Sequence, residues 1–351
     1  MLTVSSKVLS LSAEAALLVQ GGRIVYANAS AEAILGSDCV GRPVKELFGR
    51  EIVEAQAGVF TADAEIGGKR RNIRTARLDD MQAFFISEID IAPVLVNDAF
   101  LYSVRSALMN LHLSTDLGRA RAEQLGDPAL DSALRSLQRD ILRISRLLDN
   151  AAVVRAIAAG ELAVSLEPMS LSSLCRKVIE TMSLLRGDVR FSFYCGDEIS
   201  LFADRVLIEQ LLYNLISNAL VHGAPLTQVT VSLVLSSTQV IVSVSDDGRG
   251  IDEEMMGHVF ERYSSGFALS DLDRGAGLGF SVVRGIAQAH GGTLMLECRR
   301  SGGVSARVSL AYRSIPATLK APREETPDQR RLLTGMSVCL PPELYDARFL
   351  D

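Results

Sequence analysis

What this chain lacks narrows its function before any motif is read. Its five cysteines (Cys39, Cys175, Cys195, Cys298 and Cys339) are scattered and odd in number, so neither a paired metal site nor a disulfide framework is expected. No apolar run approaches the roughly 18 residues that a membrane span needs, because Ser10, Ser12 and Glu14 break the most apolar early stretch. There is no basic start followed by an apolar run and a small-residue cleavage site. Positive charge is not in excess either. The formal net charge of -6 argues against a nucleic-acid backbone as partner. These absences lead us to expect a reduced, cytoplasmic protein without a transmembrane segment. With 351 residues, 48% hydrophobic and 22% charged, the chain is long enough for two or three ordinary globular domains.

Residues 1–92 read as a small α/β module. Apolar runs at 15–20 and 23–27 flank Gly21 and Gly22, a two-residue hairpin signal. Asn28 precedes a short helical pattern stopped by Gly36, and further strands are expected at 58–66, 70–77 and 82–89. Through GRIVYANA at 22–29 and Gly36, Gly41 and Phe48 beyond it, the segment resembles a PAS sensor domain; a generic small α/β domain is the alternative. No histidine precedes His112, so a histidine-bound haem in this module is excluded. Residues 94–160 switch to helical periodicity, with helices expected at 100–124 and 130–159 and a break at Gly126, Asp127 and Pro128. In the second helix Leu134, Leu137, Ile141, Ile144, Leu147, Leu148 and Ala151 recur at helical spacing. A hairpin cannot bury such a stripe alone. Pairing with a second copy as a four-helix bundle is one solution, and packing on a neighbouring domain is the other. Residues 161–313 alternate strands and helices as an α/β sandwich, with a helix expected to start at 168–174. Residues 314–351, with Pro316, Pro322 and Pro327 among clustered charge, read as a flexible tail. The fold class expected is therefore multidomain α+β.

Three elements of the third segment point to one pocket. On a helix at 204–222, Gln210, Asn214, Asn218 and His222 fall four apart, opposite an apolar stripe of Ile208, Leu211, Leu212, Leu215 and Ala219. Asparagine oxygens suit a hard cation such as Mg2+, which keeps waters and phosphate oxygens in its shell. Asp246 ends a strand, where its carboxylate can accept from the exocyclic amine of adenine. Gly248 and Gly250 then let the backbone turn close to a base. Gly275, Gly277, Leu278 and Gly279 form a glycine loop opening a helix, whose free N–H groups favour phosphate. Alone each is weak, but the order and spacing together predict ATP binding.

With these residues in view, the chain resembles the ATP-binding domain of sensor histidine kinases, within the GHKL (Bergerat) superfamily. The resemblance rests on Asn214 to Ala219 as N box, DDGRGI at 246–251 and GAGLG at 275–279 as glycine boxes, and VFERY at 259–263 as F box. It implies that Asn218 ligates Mg2+, Asp246 reads adenine, His222 lies beside the nucleotide, and 264–274 form a mobile lid. It also implies that Arg262 counters charge developing during phosphoryl transfer. A homodimer through the hairpin and a response regulator or other signalling protein as partner follow from the same resemblance. Hydrolysing relatives such as gyrase carry a glutamate at the position of Asn214, and an amide cannot act as a general base there.

One part of the family pattern is absent. Where the family has its phosphoacceptor histidine and a following acid, this chain has Ser106 and Ala107. A serine without a neighbouring base is a poor nucleophile. His112, six residues on, is the other candidate acceptor in the hairpin. Three readings follow: a histidine kinase-like signalling protein working from a divergent acceptor or in trans, a pseudokinase acting as an ATP-binding regulatory scaffold, and an anti-sigma-type serine kinase.

Overall fold

The computed structural model describes residues 14–48, 60–66, 68–78, 81–88, 98–251, 278–299, 302–316 and 326–345. Gly21 and Gly22, with φ of 57° and 75°, join β1 (Ala15–Gln20) to β2 (Arg23–Ala27), a conformation that glycine adopts without Cβ strain. Asn28 then caps α1 (Ala29–Leu35), accepting from the backbone N–H of Ala31 at 2.9 Å. After α2 (Val44–Phe48) come β3 (Phe60–Ile66), β4 (Lys69–Leu78) and β5 (Met81–Glu88). Their sheet order is β2-β1-β5-β4-β3, antiparallel throughout, over a core that includes Leu17, Ile24, Phe60, Ile73 and Phe84.

The hairpin consists of α3 (Asp98–Leu125) and α4 (Pro128–Ala158). Asp127 caps α4 on the N–H groups of Ala129 and Leu130, and Pro128 fits the first helical turn, where no backbone donor is needed. Then follow β6 (Glu167–Ser170), α5 (Leu171–Leu185), β7 (Arg190–Cys195), β8 (Ser200–Ala203) and α6 (Arg205–His222). The helix expected from 168 starts later: Pro168 and Met169 pair with β8 in a two-stranded sheet, and Ser170 caps α5. Next come β9 (Gln228–Leu235), β10 (Gln239–Asp246), α7 (Gly279–Ala289), β11 (Leu294–Cys298) and β12 (Val304–Ala311). Buried and half-buried positions alternate along β9 and β10, with Val229, Val231, Val240, Val242 and Val244 on the buried face, so one sheet face packs under the helices and the other is more open.

Two long-range features were not expected. β3 pairs antiparallel with β11, Ala62 opposite Met295 and Phe60 opposite Glu297. The first module and the α/β sandwich therefore share one ten-stranded sheet, β2-β1-β5-β4-β3-β11-β12-β10-β9-β7. The tail, expected to be flexible, is ordered over 326–345. It forms α8 (Gln329–Gly335), capped by Asp328, and buries Leu332, Leu333, Met336, Leu340 and Tyr345 in the main core. The reason is apolar spacing outweighing the proline and charge signal: Leu332, Leu333 and Met336 line one helical face. Among the described residues no helix is long and apolar enough to cross a membrane.

Candidate functional site

Helix α6 runs between the sheet and a cover made by α4, α7 and α8, so nearly all of it is buried, including Glu209, Tyr213 and Asn214. On the polar side of the helix Asn214 is buried, while Gln210, Asn218 and His222 are half-buried. Its C-terminal end borders a cavity of about 310 Å3, walled by Leu215, Val244, Ile251, Phe280 and Ala306 and edged by Asn218, His222, Asp246, Arg249 and Gly250. Apolar walls with a few convergent polar groups suit a flat heteroaromatic ring.

Asp246 is buried at the end of β10. Its Oδ1 accepts from the N–H groups of Gly248 at 2.9 Å and Val304 at 3.4 Å, while Oδ2 accepts from no described protein group. Burial raises its pKa, and those backbone donors oppose the rise. Close approach of three backbones makes glycine necessary here. A Cβ on Gly248 would lie 1.9 Å from the carbonyl oxygen of Gly223, and one on Gly303 would lie 2.1 Å from that of Asp246. The second acid of the motif, Asp247, is structural: its Oδ1 accepts from the N–H groups of Thr227 and Gln228, both at 2.8 Å, pinning the loop after α6. Gly250, at φ 78°, supplies the tight turn expected of it.

The two asparagines differ. Asn218 is half-buried, borders the cavity and makes no hydrogen bond to any described residue. A Cβ on Gly279, at the start of α7, would sit 3.2 Å from Asn218 Oδ1 and 3.3 Å from Asn214 Oδ1. The amide oxygens therefore face the N-terminal end of α7, where N–H groups and the helix dipole favour anions. Asn214 is already engaged. Its Oδ1 accepts from Arg146 Nη2 at 3.2 Å and Asn150 Nδ2 at 3.1 Å, and its Nδ2 donates to Asn150 Oδ1 at 3.2 Å and the Gln210 carbonyl at 2.9 Å. Arg146 and Asn150 come from α4, and sequence reasoning missed both, because nothing local marks a helical arginine as buried. His222 borders the cavity, with its carbonyl accepting from Arg249 Nε at 3.0 Å. Leu278 is buried beside Gly279, whereas Arg262, Gly275 and Gly277 lie outside the described residues. Among the described residues no cluster of histidine, cysteine or acidic side chains could hold a metal, so a cation here would depend on amide and phosphate oxygens.

The proposed acceptors are remote from this pocket in sequence and lie on α3. Ser106 is exposed and has no hydrogen-bond partner among the described residues. His112 is largely covered, with Nδ1 buried and unpartnered and Nε2 3.7 Å from Asp116 Oδ2; burial lowers its pKa and Asp116 opposes that.

Residues 203–314 match the model of the histidine kinase-, DNA gyrase B- and HSP90-like ATPases, so this part of the chain has the GHKL-class ATP-binding fold. The chain is 28% identical over 219 residues to the signal transduction histidine-protein kinase AfsQ2 of Streptomyces coelicolor, covering 60% of this chain and 38% of that protein. It is 32% identical over 208 residues to the sensor protein FixL of Bradyrhizobium diazoefficiens, covering 56% and 37%. The full-length ShkA structure, solved with AMPPNP, shares the fold over 64% of this chain and 48% of that one (TM-score 0.51, 21% identity). The chain is thus similar to sensor histidine kinases, and it spans less than two fifths of the two curated relatives' own length.

Proposed function

We propose that this protein binds Mg-ATP in the α6–β10–α7 cavity and acts as a histidine kinase-like protein in two-component signalling in the cytoplasm. One observation carries the reading: the free oxygen of buried Asp246, the unpartnered amide of Asn218 and the N-terminus of α7 converge on one apolar-walled cavity. Asp246 holds the adenine amine, Val244, Ile251 and Ala306 flank the ring, and Gly279 leaves room for phosphate between the amides and α7. Asn218 Oδ1 is the protein ligand for magnesium. When bound, the ion neutralises phosphate charge. The role of Asn214 shifts from direct nucleotide contact to positioning, since Arg146, Asn150 and the Gln210 carbonyl already fill its bonding capacity. The first module serves as a PAS-like sensor, the hairpin as dimerisation unit, and a response regulator or other signalling protein as partner.

A second reading is favoured by one specific observation. Tyr102, Met109, Leu113 and Leu117 are all more than half exposed and lie within about 80° of one another around α3. Ser106 falls inside that stripe. Dimerisation through the stripe would cover the serine, and no described group activates it. That supports an ATP-binding regulatory scaffold that does not transfer phosphate from this chain to itself.

Calorimetric titration with Mg-ATP, followed by a γ-labelled ATP assay on the same sample, tests both. Binding should be saturable and weaken by about tenfold or more in Asp246→Asn, whose amide places a donor against the adenine amine. Wild-type protein that binds no nucleotide would sink the first reading. Retained label would remove the scaffold reading. Acid-labile label would assign His112, and acid-stable label Ser106 or another hydroxyl.

A further inference from the structure

A second, larger cavity of about 640 Å3 lies between the hairpin, α6 and α8, and shares no lining residue with the nucleotide cavity. Its size falls within the range of small-molecule sites. Leu108, Ile141, Leu142 and Val153 give it an apolar wall. Four arginines and three carboxylates also line it. Arg105 pairs with Asp149 at 2.8 Å, and Arg331 pairs with Glu209 at 3.3 Å and Asp328 at 3.4 Å. Arg330, exposed, has no described partner.

Arg146 is the anomaly. It is 6% exposed, has no acidic partner among the described residues, and makes one hydrogen bond, to the neutral amide of Asn214. Its Nε is buried without an acceptor among the described residues. Tyr213, 3% exposed, likewise has a buried hydroxyl without a partner. A buried guanidinium without a counter-charge is costly, so a chain keeps one where something supplies the anion.

We propose that this cavity binds a small organic monocarboxylate, its carboxylate on Arg146 and its apolar body against Leu108, Ile141 and Leu142. The guanidinium nitrogen that Asn214 leaves free, the second Nη, can donate a charge-assisted hydrogen bond to a carboxylate oxygen. Among the described residues Arg146 is the buried cation left unpaired, and one carboxylate charge balances it. Because Arg146 also holds Asn214, an occupant here would touch α6 one turn from Asn218 without entering the nucleotide cavity.

The test uses the full chain without nucleotide, so its outcome is separate from that of ATP binding. Hexanoate and benzoate are titrated against hexanamide and benzamide, with affinity read by ligand-observed NMR. The acids should bind saturably and about tenfold or more tighter than their amides, and Arg146→Met should erase that preference. Arg146→Met should also melt no lower than the parent, since it removes a lone buried charge. Should that variant fail to fold, Ala152→Phe, which fills the cavity from the α4 side, should weaken acid binding by a similar factor. Equal binding of acids and amides, acid preference surviving in Arg146→Met, unchanged affinity in Ala152→Phe, or no saturable binding of either acid would each overturn the proposal.

Discussion

The two helices of the hairpin have similar length and composition but opposite surroundings. α4 is used on two sides. Ile141 and Ala151 are buried, and Leu142, Val153 and Val154 join the main core, where a Cβ on Gly285 of α7 would meet Ile157 Cδ1 at 1.9 Å. Among the described side chains α3 buries only Leu101, Leu108, Thr115, Arg119 and Ala122, and it leaves Tyr102 76% and Leu117 66% exposed. An amphipathic stripe therefore says that a helix has a partner, but not whether that partner is the same chain. On α4 the neighbouring domain fills the role; on α3 the unfilled face is the one we assign to a second copy.

The largest expected effect breaks the α4 side. Val154→Asp puts an unpaired carboxylate where the side chain is 4% exposed, and should cost roughly 3–5 kcal/mol in denaturant unfolding. The same chemistry on α3 should do something different. Leu113→Glu with Leu117→Glu should convert dimer to monomer in light scattering while changing protomer stability by only about 0.5 kcal/mol per site. A dimer that survives both changes would move the interface off α3.

Two smaller effects sharpen the seam between the helices. Gly118 lies inside α3, and a Cβ there would meet the Leu134 methyls at 3.3 and 3.4 Å. Leu134 is half-buried and able to shift, so Gly118→Ala should gain helix propensity and raise stability by about 0.5 kcal/mol. His112 should give the weakest signal. Burial lowers its folded-state pKa below the usual value, so the folded chain prefers neutral imidazole. That contribution is intact above the unfolded value of about 6.5 and is lost as pH falls from there through the folded value. His112→Gln should flatten the melting temperature over this window; Asp116 and Arg330 are the charges acting on it.

Local chemistry was legible and long-range covering was not. Gly21 with Gly22, the cap at Asn28 and the break at Pro128 are set by backbone preferences of a few residues, and each lies where the sequence implied. Asn214 and Asn218 were placed on one helical face by spacing alone. Spacing could not tell them apart, because the difference comes from Arg146 and Asn150, more than sixty residues away. The tail was misread for a related reason. Three prolines outweighed Leu332, Leu333 and Met336, whose burial needs a surface on α6 that only the folded chain provides, as Gly335 against Tyr213 shows. Pro168 misled in the same way, since it lies in the short strand β6, two residues before the Ser170 cap of α5.

The junction of β3 with β11 has a consequence for anyone who divides this protein. Each strand is otherwise the outer edge of its own half-sheet, a row of open backbone donors and acceptors beside Phe60, Ala62, Leu294 and Leu296. In the intact chain each edge silences the other. Cut between 88 and 98, both halves would carry a bare, apolar template for stacking with copies of themselves, so fragments should precipitate where the whole chain stays dispersed.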